Sequence, residues 1–410
     1  MEHRDNENSI MIRESPELIS RPNLSKKGKE MNPAIARENN TNEAVLFMAL
    51  DIGKNNWMAA FGNGKKVRKK SLPARDLERA VEEIDNSKRK LGLPDSARVV
   101  CCYEAGRDGF WIHRWMSAIG VECLLVDPGS IERNTKGKSA KTDRLDAEKL
   151  LRKLVDYHYG DRKVWSVVNV PSDEVEDERL IHRELQRLKG EKTRLVVRIR
   201  SLLFQQGICF DDRIGTKFCE EVKAFRRWDK TPLPSNVSGE IERIYDRLDL
   251  LNKQITQITK ERQQRIEKPK TKRDRIAAML ITLMGVGETS AWLLATEFFG
   301  WRSFKNGKQV GSLAGLTGTP HSSGASNKEL GISKAGNVRV RWLAIELAWS
   351  WLRWQPQSAL SKWFAERFGG TGKRMKRVGI VASARKLLVL LWRFVEFGEV
   401  PEGARVKVVA

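Results

Sequence analysis

Apolar positions run together in some blocks of the chain and recur at helical spacing in others, and each pattern predicts a different element. From Ala44 the run AVLFMALDIGKNNWMAAFG predicts two β-strands and GKKVRKKSLP a third, together a meander. ARDLERAVEEIDNSKRKLG then sets Leu77, Val81, Ile84 and Leu91 at helical spacing before a glycine stop. ARVVCCYEAG predicts a short buried strand ending at Glu104, followed by a helix and by VECLLVDP as another strand. Strands first, then strand–helix alternation, predict a mixed α/β sheet domain over 44–165. Upstream, residues 1–43 are polar, mixed in charge and without periodicity, which predicts a disordered arm.

From Glu176 the period changes. Ile181, Leu185, Leu188, Lys192, Leu195, Ile199 and Leu202 step by fours and threes, as do Ile241, Ile244, Leu248, Leu251, Ile255 and Ile258. These two heptad stretches, parted by TPLPSNVSG, predict an antiparallel coiled-coil hairpin or an oligomerisation stalk within 166–275, with ordinary bundle helices as the plainer alternative. A basic linker, EKPKTKRDR, leads to a mostly helical domain over 276–397 and a tail over 398–410. In VRWLAIELAWSWLRW the tryptophans cluster with Leu, Ala and Ile, which predicts core packing.

Charge changes the picture from fold to partner. The 410 residues carry 75 Lys and Arg against 52 Asp and Glu, a net charge of +23, so nucleic acid is the expected partner class. No apolar run is long enough to span a bilayer and the N-terminus lacks a signal-peptide core, so the expectation is a cytoplasmic protein without a membrane partner. Cys101, Cys102, Cys123, Cys209 and Cys219 form no CxxC spacing and no cluster with the histidines; they are expected to be reduced core residues.

Against this basic background stand four carboxylates. Asp51 lies inside a predicted strand, where a charge is costly unless paired. Glu104 ends another strand, and if the two strands are neighbours their carboxylates converge at one sheet end. Asp143 and Asp146, in KTDRLDAEKL, are three apart and share a helix face. Singly each has an ordinary explanation, such as helix capping by Asp143 after Thr142. As a set of oxygen ligands they could hold two Mg²⁺ ions for phosphodiester chemistry.

The strand Asp in ALDIGK, the strand Glu in CYEAG and KTDRLDAEKL resemble the DEDD pattern of insertion-sequence transposases with a RuvC-like, RNase H-like α/β domain. GLTGTPHSSGASNKELGISKAGNVRVRWLAIELAW is similar to the second, serine-bearing transposase domain of the same RNA-guided family. The resemblance covers about 44–165 and 276–360. It implies a recombinase that moves an insertion sequence, directed by a structured non-coding guide (bridge or seek) RNA that pairs with donor and target double-stranded DNA. It also implies Mg²⁺ on Asp51, Glu104, Asp143 and Asp146.

The composition of TPHSSGASNKELGISKAGN predicts a flexible loop between two helices. The resemblance makes a serine before its glycine the nucleophile that forms a phosphoserine with DNA; at SSG the choice falls on Ser323 over Ser322. Ser322, Gly324, Lys334, Asn337, Arg339 and Arg341, with Lys141 in the lysine run before Asp143, are the expected nucleic-acid contacts, a solvated basic face being the plainer reading. LMGVGETSAWLLATEFFG has a glycine turn opening a helix, which predicts a backbone contact to phosphate or close helix packing. A dimer or tetramer through the coiled coil is expected. Two rivals make different predictions: a junction resolvase using metal-activated water has an inert Ser323, and a non-catalytic nucleic-acid-binding regulator does not need Asp51.

Overall fold

The computed structural model describes residues 44–131, 143–323 and 326–407; the side chains of residues 143–144, 321–323 and 326–329 lie outside that description. So does the arm expected over 1–43. The chain divides into two compact units between Val170 and Pro171.

The first unit is built on a five-stranded sheet of β1 (Val45–Ile52), β2 (Asn56–Gly62), β3 (Val67–Pro73), β4 (Arg98–Glu104) and β5 (Glu122–Val126). Its order is β3-β2-β1-β4-β5; the first three strands form the expected antiparallel meander, whereas β4 and β5 run parallel to β1. The apolar run in β1 follows from its central place, because both of its faces are covered. Leu46, Met48 and Leu50 pack with Ile84 of α1 (Leu77–Lys90) and with Ile112 and Met116 of α2 (Trp111–Ala118). Val45, Phe47 and Ala49 pack with Ala147, Leu150, Leu151 and Leu154 of α3 (Asp143–His158). Each of those leucines stabilises the sheet–helix contact by roughly 1.5–3 kcal/mol when fully buried. In α1, Asp76 caps the start by accepting from the Arg79 N–H at 3.0 Å, and Gly92 follows the end at φ 70°. Val81 is exposed rather than inward; Glu83 and Ser87 are buried instead, both bonded to Arg68 of β3.

The second unit begins with α4 (Asp173–Phe204), capped by Ser172 and acidic in its first turn, where carboxylates suit the helix dipole. After α5 (Phe218–Ala224) comes α6 (Ser235–Glu267). Arg198 pairs with Glu240 at 2.7 Å and Lys192 donates to Asn252 at 2.7 Å, so α4 and α6 run antiparallel as the expected hairpin. Leu185, Leu188, Ile199, Leu202, Ile241, Ile244, Leu248 and Leu251 are its buried seam.

The hairpin joins a helical body: α7 (Lys272–Ile281), α8 (Glu288–Leu294) continued by a π turn (Ala295–Phe299), α9 (Gly307–Leu313), strands β6 (Gly318–Ser323) and β7 (Ser326–Ile332), α10 (Val338–Trp354), α11 (Ala359–Phe368) and α12 (Lys373–Phe397). The block expected to be a flexible loop is thus an antiparallel β-hairpin. Among the α10 tryptophans only Trp351 is buried; Trp342, Trp349 and Trp354 are about half exposed, against expectation, because its inward stripe is filled by Val340, Leu343, Ala344, Leu347 and Ala348. Gly285, in the glycine turn, packs against Trp354: a Cβ there would lie 3.1 Å from the Trp354 Cβ. Cys101, Cys102 and Cys123 are core residues, while Cys209 is exposed and Cys219 half-buried, so the cysteine expectation holds for three. Beyond α12 the tail is tied down as far as Lys407, with Arg405 bonded to Gln355 and Met284.

Where the long hairpin meets this body the contact is ionic. Glu297, in the π turn and 1% exposed, takes two bonds from the Arg183 guanidinium at 2.8 and 3.1 Å. Burial pushes its carboxyl up, but Arg183, with Arg179 and Arg339, outweighs burial and holds it below its ordinary value. Beside it His182 is fully buried, and neither ring nitrogen has a hydrogen-bond partner among the described residues. Burial first, then the Arg262 charge, lowers its pKa to about 4, against the weaker pull of Glu297. Further along, Arg265 bridges Glu178 and Asp274, each at 3.0 Å, and Arg273 also binds Glu178.

Folding therefore keeps His182 neutral, and the sign of the pH dependence follows. Between its ordinary value of 6.5 and about 4 the unfolded chain binds a proton that the folded chain refuses, so stability falls as pH drops through that window. The expected slope is up to about 1.4 kcal/mol per pH unit. Urea titrations from pH 7 to 4 should show it in the wild type and a shallower slope in His182→Gln. An equal slope in both proteins rules out His182 as the source.

Candidate functional site

Two places gather the candidate residues, one in each unit. In the first, Leu50 of β1 is paired with Tyr103 of β4, so the next residues, Asp51 and Glu104, follow side by side at the carboxyl ends of adjacent parallel strands. Side chains alternate along a strand. Asp51 thus shares a face with Phe47 and Ala49, and Glu104 with Val100 and Cys102, which is the face covered by α3. That helix opens at Asp143, and its residues Ala147 and Leu150, one turn beyond Asp143 and Asp146, are the ones buried against the sheet. Asp146 is partly exposed and bonded to Lys149 at 3.2 Å. The structure therefore brings Asp51, Glu104 and the first turn of α3 to one face and one end of the sheet.

The donor set is all oxygen, which suits a hard cation such as Mg²⁺ and not a thiolate-loving metal. Among the described residues no three His, Cys, Asp or Glu side chains form a metal-binding group; the Asp143 side chain lies outside them, as does Lys141.

In the second unit Ser322 and Ser323 end β6. Ser322 pairs with Asn327 and Ser323 with Ser326, so Ser323 is the last residue of β6; Gly324 lies outside the described residues. The other end of the hairpin is clamped. Gly315, at φ 68°, passes so close to the next segment that a Cβ would lie 1.9 Å from the Ala335 oxygen. Gly336, at φ 84°, has the same relation to the Leu313 oxygen at 2.1 Å. Only glycine meets both demands, positive φ and close approach.

Of the residues expected to touch nucleic acid, three are engaged within the fold. Arg341 Nη1 donates to the Lys334 oxygen at 2.8 Å and lies near those of Ala335 and Ala314, which fastens the clamp. Asn337 caps α10 by accepting from the N–H groups of Arg339 and Val340 at 3.0 and 3.2 Å, and its amide reaches Glu297 at 3.4 Å. Arg339 donates to Gln186 of α4 at 3.3 Å. Lys334 sits on the clamp at φ 56°.

Sequence reasoning missed Glu297, Arg183, Arg179 and His182. The available signal was Glu297 itself, a carboxylate inside the apolar run LLATEFF. A π turn, which places Glu297 off the regular helical spacing, often marks a functional site.

Residues 277–362, which include the clamp, the hairpin and α10, match the model of the transposase IS116/IS110/IS902 family. A protein of Sinorhizobium fredii named as a transposase, y4rJ, is 37% identical over 376 residues, covering 88% of this chain and 95% of that one. The transposase for insertion sequence element IS1328 of Yersinia enterocolitica is 23% identical over 299 residues, or 72% of this chain and 82% of that one. The transposase for element IS1111A of Coxiella burnetii is 25% identical over 248 residues, 60% of this chain and 64% of that one. With likeness to the first of these over almost its whole length, the chain belongs to the IS116/IS110/IS902 family of insertion-sequence transposases.

Proposed function

We propose that the chain is an RNA-guided DNA recombinase, with a DEDD carboxylate site on an RNase H-like, RuvC-like sheet and Ser323 as nucleophile. The observation that carries this reading is the register of β1 and β4, which sets Asp51 and Glu104 side by side on the face covered by the helix of Asp143 and Asp146. A central apolar strand carrying one aspartate, paired antiparallel to β2 on one side and parallel to the strand that ends in Glu104 on the other, supports such a site.

Mg²⁺ bound by Asp51, Glu104, Asp143 and Asp146 would supply charge neutralisation at a phosphodiester. The chain's own residues do the rest. The Ser323 oxygen forms a bond to phosphorus, the bond to the leaving sugar oxygen breaks, and the serine proton ends on that leaving oxygen. A serine hydroxyl is a poor nucleophile at neutral pH, so the phosphate must be held in line by donors, for which Ser322, Gly324 and Lys334 are the nearest in sequence. The carboxylates belong to the first unit and Ser323 to the second. A guide RNA and donor and target DNA are the proposed partners. Because the heptad seam is consumed inside the α4–α6 hairpin, a dimer or tetramer through this region would use outward residues such as Leu180, Val197 and Leu250, which are exposed.

Asp51→Ala or Glu104→Ala should abolish strand cleavage, a loss of at least about 100-fold, while nucleic-acid affinity stays level or rises, since removing an acid reduces repulsion toward phosphate. Cleavage of labelled element-end DNA together with filter binding would measure both; retained cleavage in either variant rules out the carboxylate site.

Ser323→Ala should keep RNA binding and assembly but lose cleavage and any denaturation-resistant protein–DNA adduct, with Ser322→Ala milder. An adduct carried by Ser322 would refute the assignment, and full cleavage in the double variant would favour metal-activated water.

A further inference from the structure

A groove of about 1450 Å³ lies in the second unit between the β6–β7 hairpin and helices α11 and α12. Its charge is of one sign. Lys308, Lys334, Arg374, Arg377, Arg385 and Lys386 line it, and no Asp or Glu is among its lining residues. Arg374, Arg377 and Arg385 have no ion pair among the described residues, unlike Arg183, Arg265 and Arg273 in the ionic layer.

The floor is apolar. Leu316, Leu330, Leu360, Trp363, Val381 and Leu390 line the same space, the Lys386 ammonium lying 4.5 Å from the centre of the Trp363 ring, and Val378, also in the lining, is 51% exposed. Two glycines of α9 let α12 approach: a Cβ on Gly307 would lie 2.9 Å from Val389, and one on Gly311 3.2 Å from the Arg385 Nε. The packing thus lays the Arg385 side chain over Gly311 and along the groove.

Cationic edges over an apolar floor suit a ligand with anionic groups on one side and flat apolar faces on the other. A duplex offers phosphates but keeps its base faces stacked, so the floor would stay uncovered. A single strand offers both, because its unstacked bases can lie on apolar and aromatic side chains while its phosphates meet Arg and Lys. Arg374 and Arg385 are eleven residues apart on α12, about 16 Å at 1.5 Å per residue. The choice of DNA over RNA rests on the proposed function, because the groove wall includes Lys334 and the end of β7, part of the hairpin that carries Ser323.

We infer that this groove holds a stretch of single-stranded DNA, its phosphates on the Arg374, Arg377 and Arg385 edge and its bases on the floor around Trp363. The strand then runs along β7 and Lys334, which are part of the groove wall and of the hairpin that carries Ser323. The inference deepens the proposed function by giving the exposed DNA strand a seat, and it rests on that reading only for the identity of the strand.

The test uses the full chain and fluorescent 20-nucleotide probes of one sequence as single-stranded DNA, duplex DNA and single-stranded RNA, with affinity measured by anisotropy across a salt series. Arg374→Ala with Arg377→Ala should weaken single-stranded DNA binding about 10-fold or more and lower the salt slope by about 1.4, from ~0.7 per phosphate contact on a single strand. Val378→Glu, at an exposed position, should weaken it similarly without disturbing the core. Lys189→Ala with Lys260→Ala, exposed and outside the groove, should change it less than 3-fold. Unchanged binding of single-stranded DNA in both groove variants would overturn the inference, as would an equal loss on all three probes, which marks an ordinary basic face, or a larger loss on RNA. If no adduct forms even in the wild type while the groove variants still lose the strand, the serine reading fails and the groove stands.

Discussion

A carboxylate buried in an apolar turn must be compensated, and in the second unit that requirement falls on Glu297. Removing a carboxylate from water costs several kcal/mol, and attraction to one cation offsets this only with good geometry. Arg183 supplies it by donating from two nitrogens, which fixes the angle at which α4 crosses the π turn. Asn337 binds the same carboxylate while capping α10, so the start of α10 is fixed as well. The clamp of Gly315 and Gly336 hangs between that cap and α9, and the serine hairpin grows from the clamp. Through Asn337, Glu297 thus helps fix the base from which the hairpin grows. Without its two partners, Glu297 would have to be protonated or solvated, and either would loosen the turn.

The first unit depends on a different constraint, strand register. Because side chains alternate, a slip of one residue between β1 and β4 would send Asp51 and Glu104 to opposite faces of the sheet. The apolar runs on both strands resist any such slip: Phe47 and Ala49 face α3 while Met48 and Leu50 face α1 and α2, and each set fills a core already shaped to it. The packing that stabilises the sheet therefore also keeps the two carboxylates adjacent.

What was legible in the sequence follows from how local each signal is. The meander, the β4 and β5 strands and the α4–α6 hairpin announce themselves in runs and heptads, and there the expected elements are found. The β6–β7 hairpin was hidden because Ser, Gly, Lys and Asn are poor strand formers whose pairing is decided by the clamp at its base. The two-residue link Gly324–Ala325 was the available clue, since Gly-X is a hairpin signature. The α10 tryptophans misled because their neighbours are apolar, although helical spacing separates Trp351 from Trp342 and Trp349. Nothing in the sequence could join Arg183 to Glu297 across more than a hundred residues. The two serines and the four carboxylates were recognisable as residue types, but only the register of β1 and β4 makes neighbours of Asp51 and Glu104.

A net charge of +23 says that polyanions will be attracted but not where they bind. The folded chain divides its cations into two groups. Arg183, Arg265, Arg273 and Arg341 are held by carboxylates or carbonyl oxygens and serve the fold. The groove along α12 instead gathers like charges with no acid among its lining. Such a cluster gains nothing from folding, since neighbouring like charges repel by about 1 kcal/mol per pair at 4 Å even in water. Exposure to solvent and salt keeps that cost small, and an anionic strand would reverse its sign. A fold that holds the partly buried Arg183, Arg265 and Arg273 on carboxylates and leaves a groove lined by apolar residues and cations without an acid has separated charges that hold it together from charges available to a ligand.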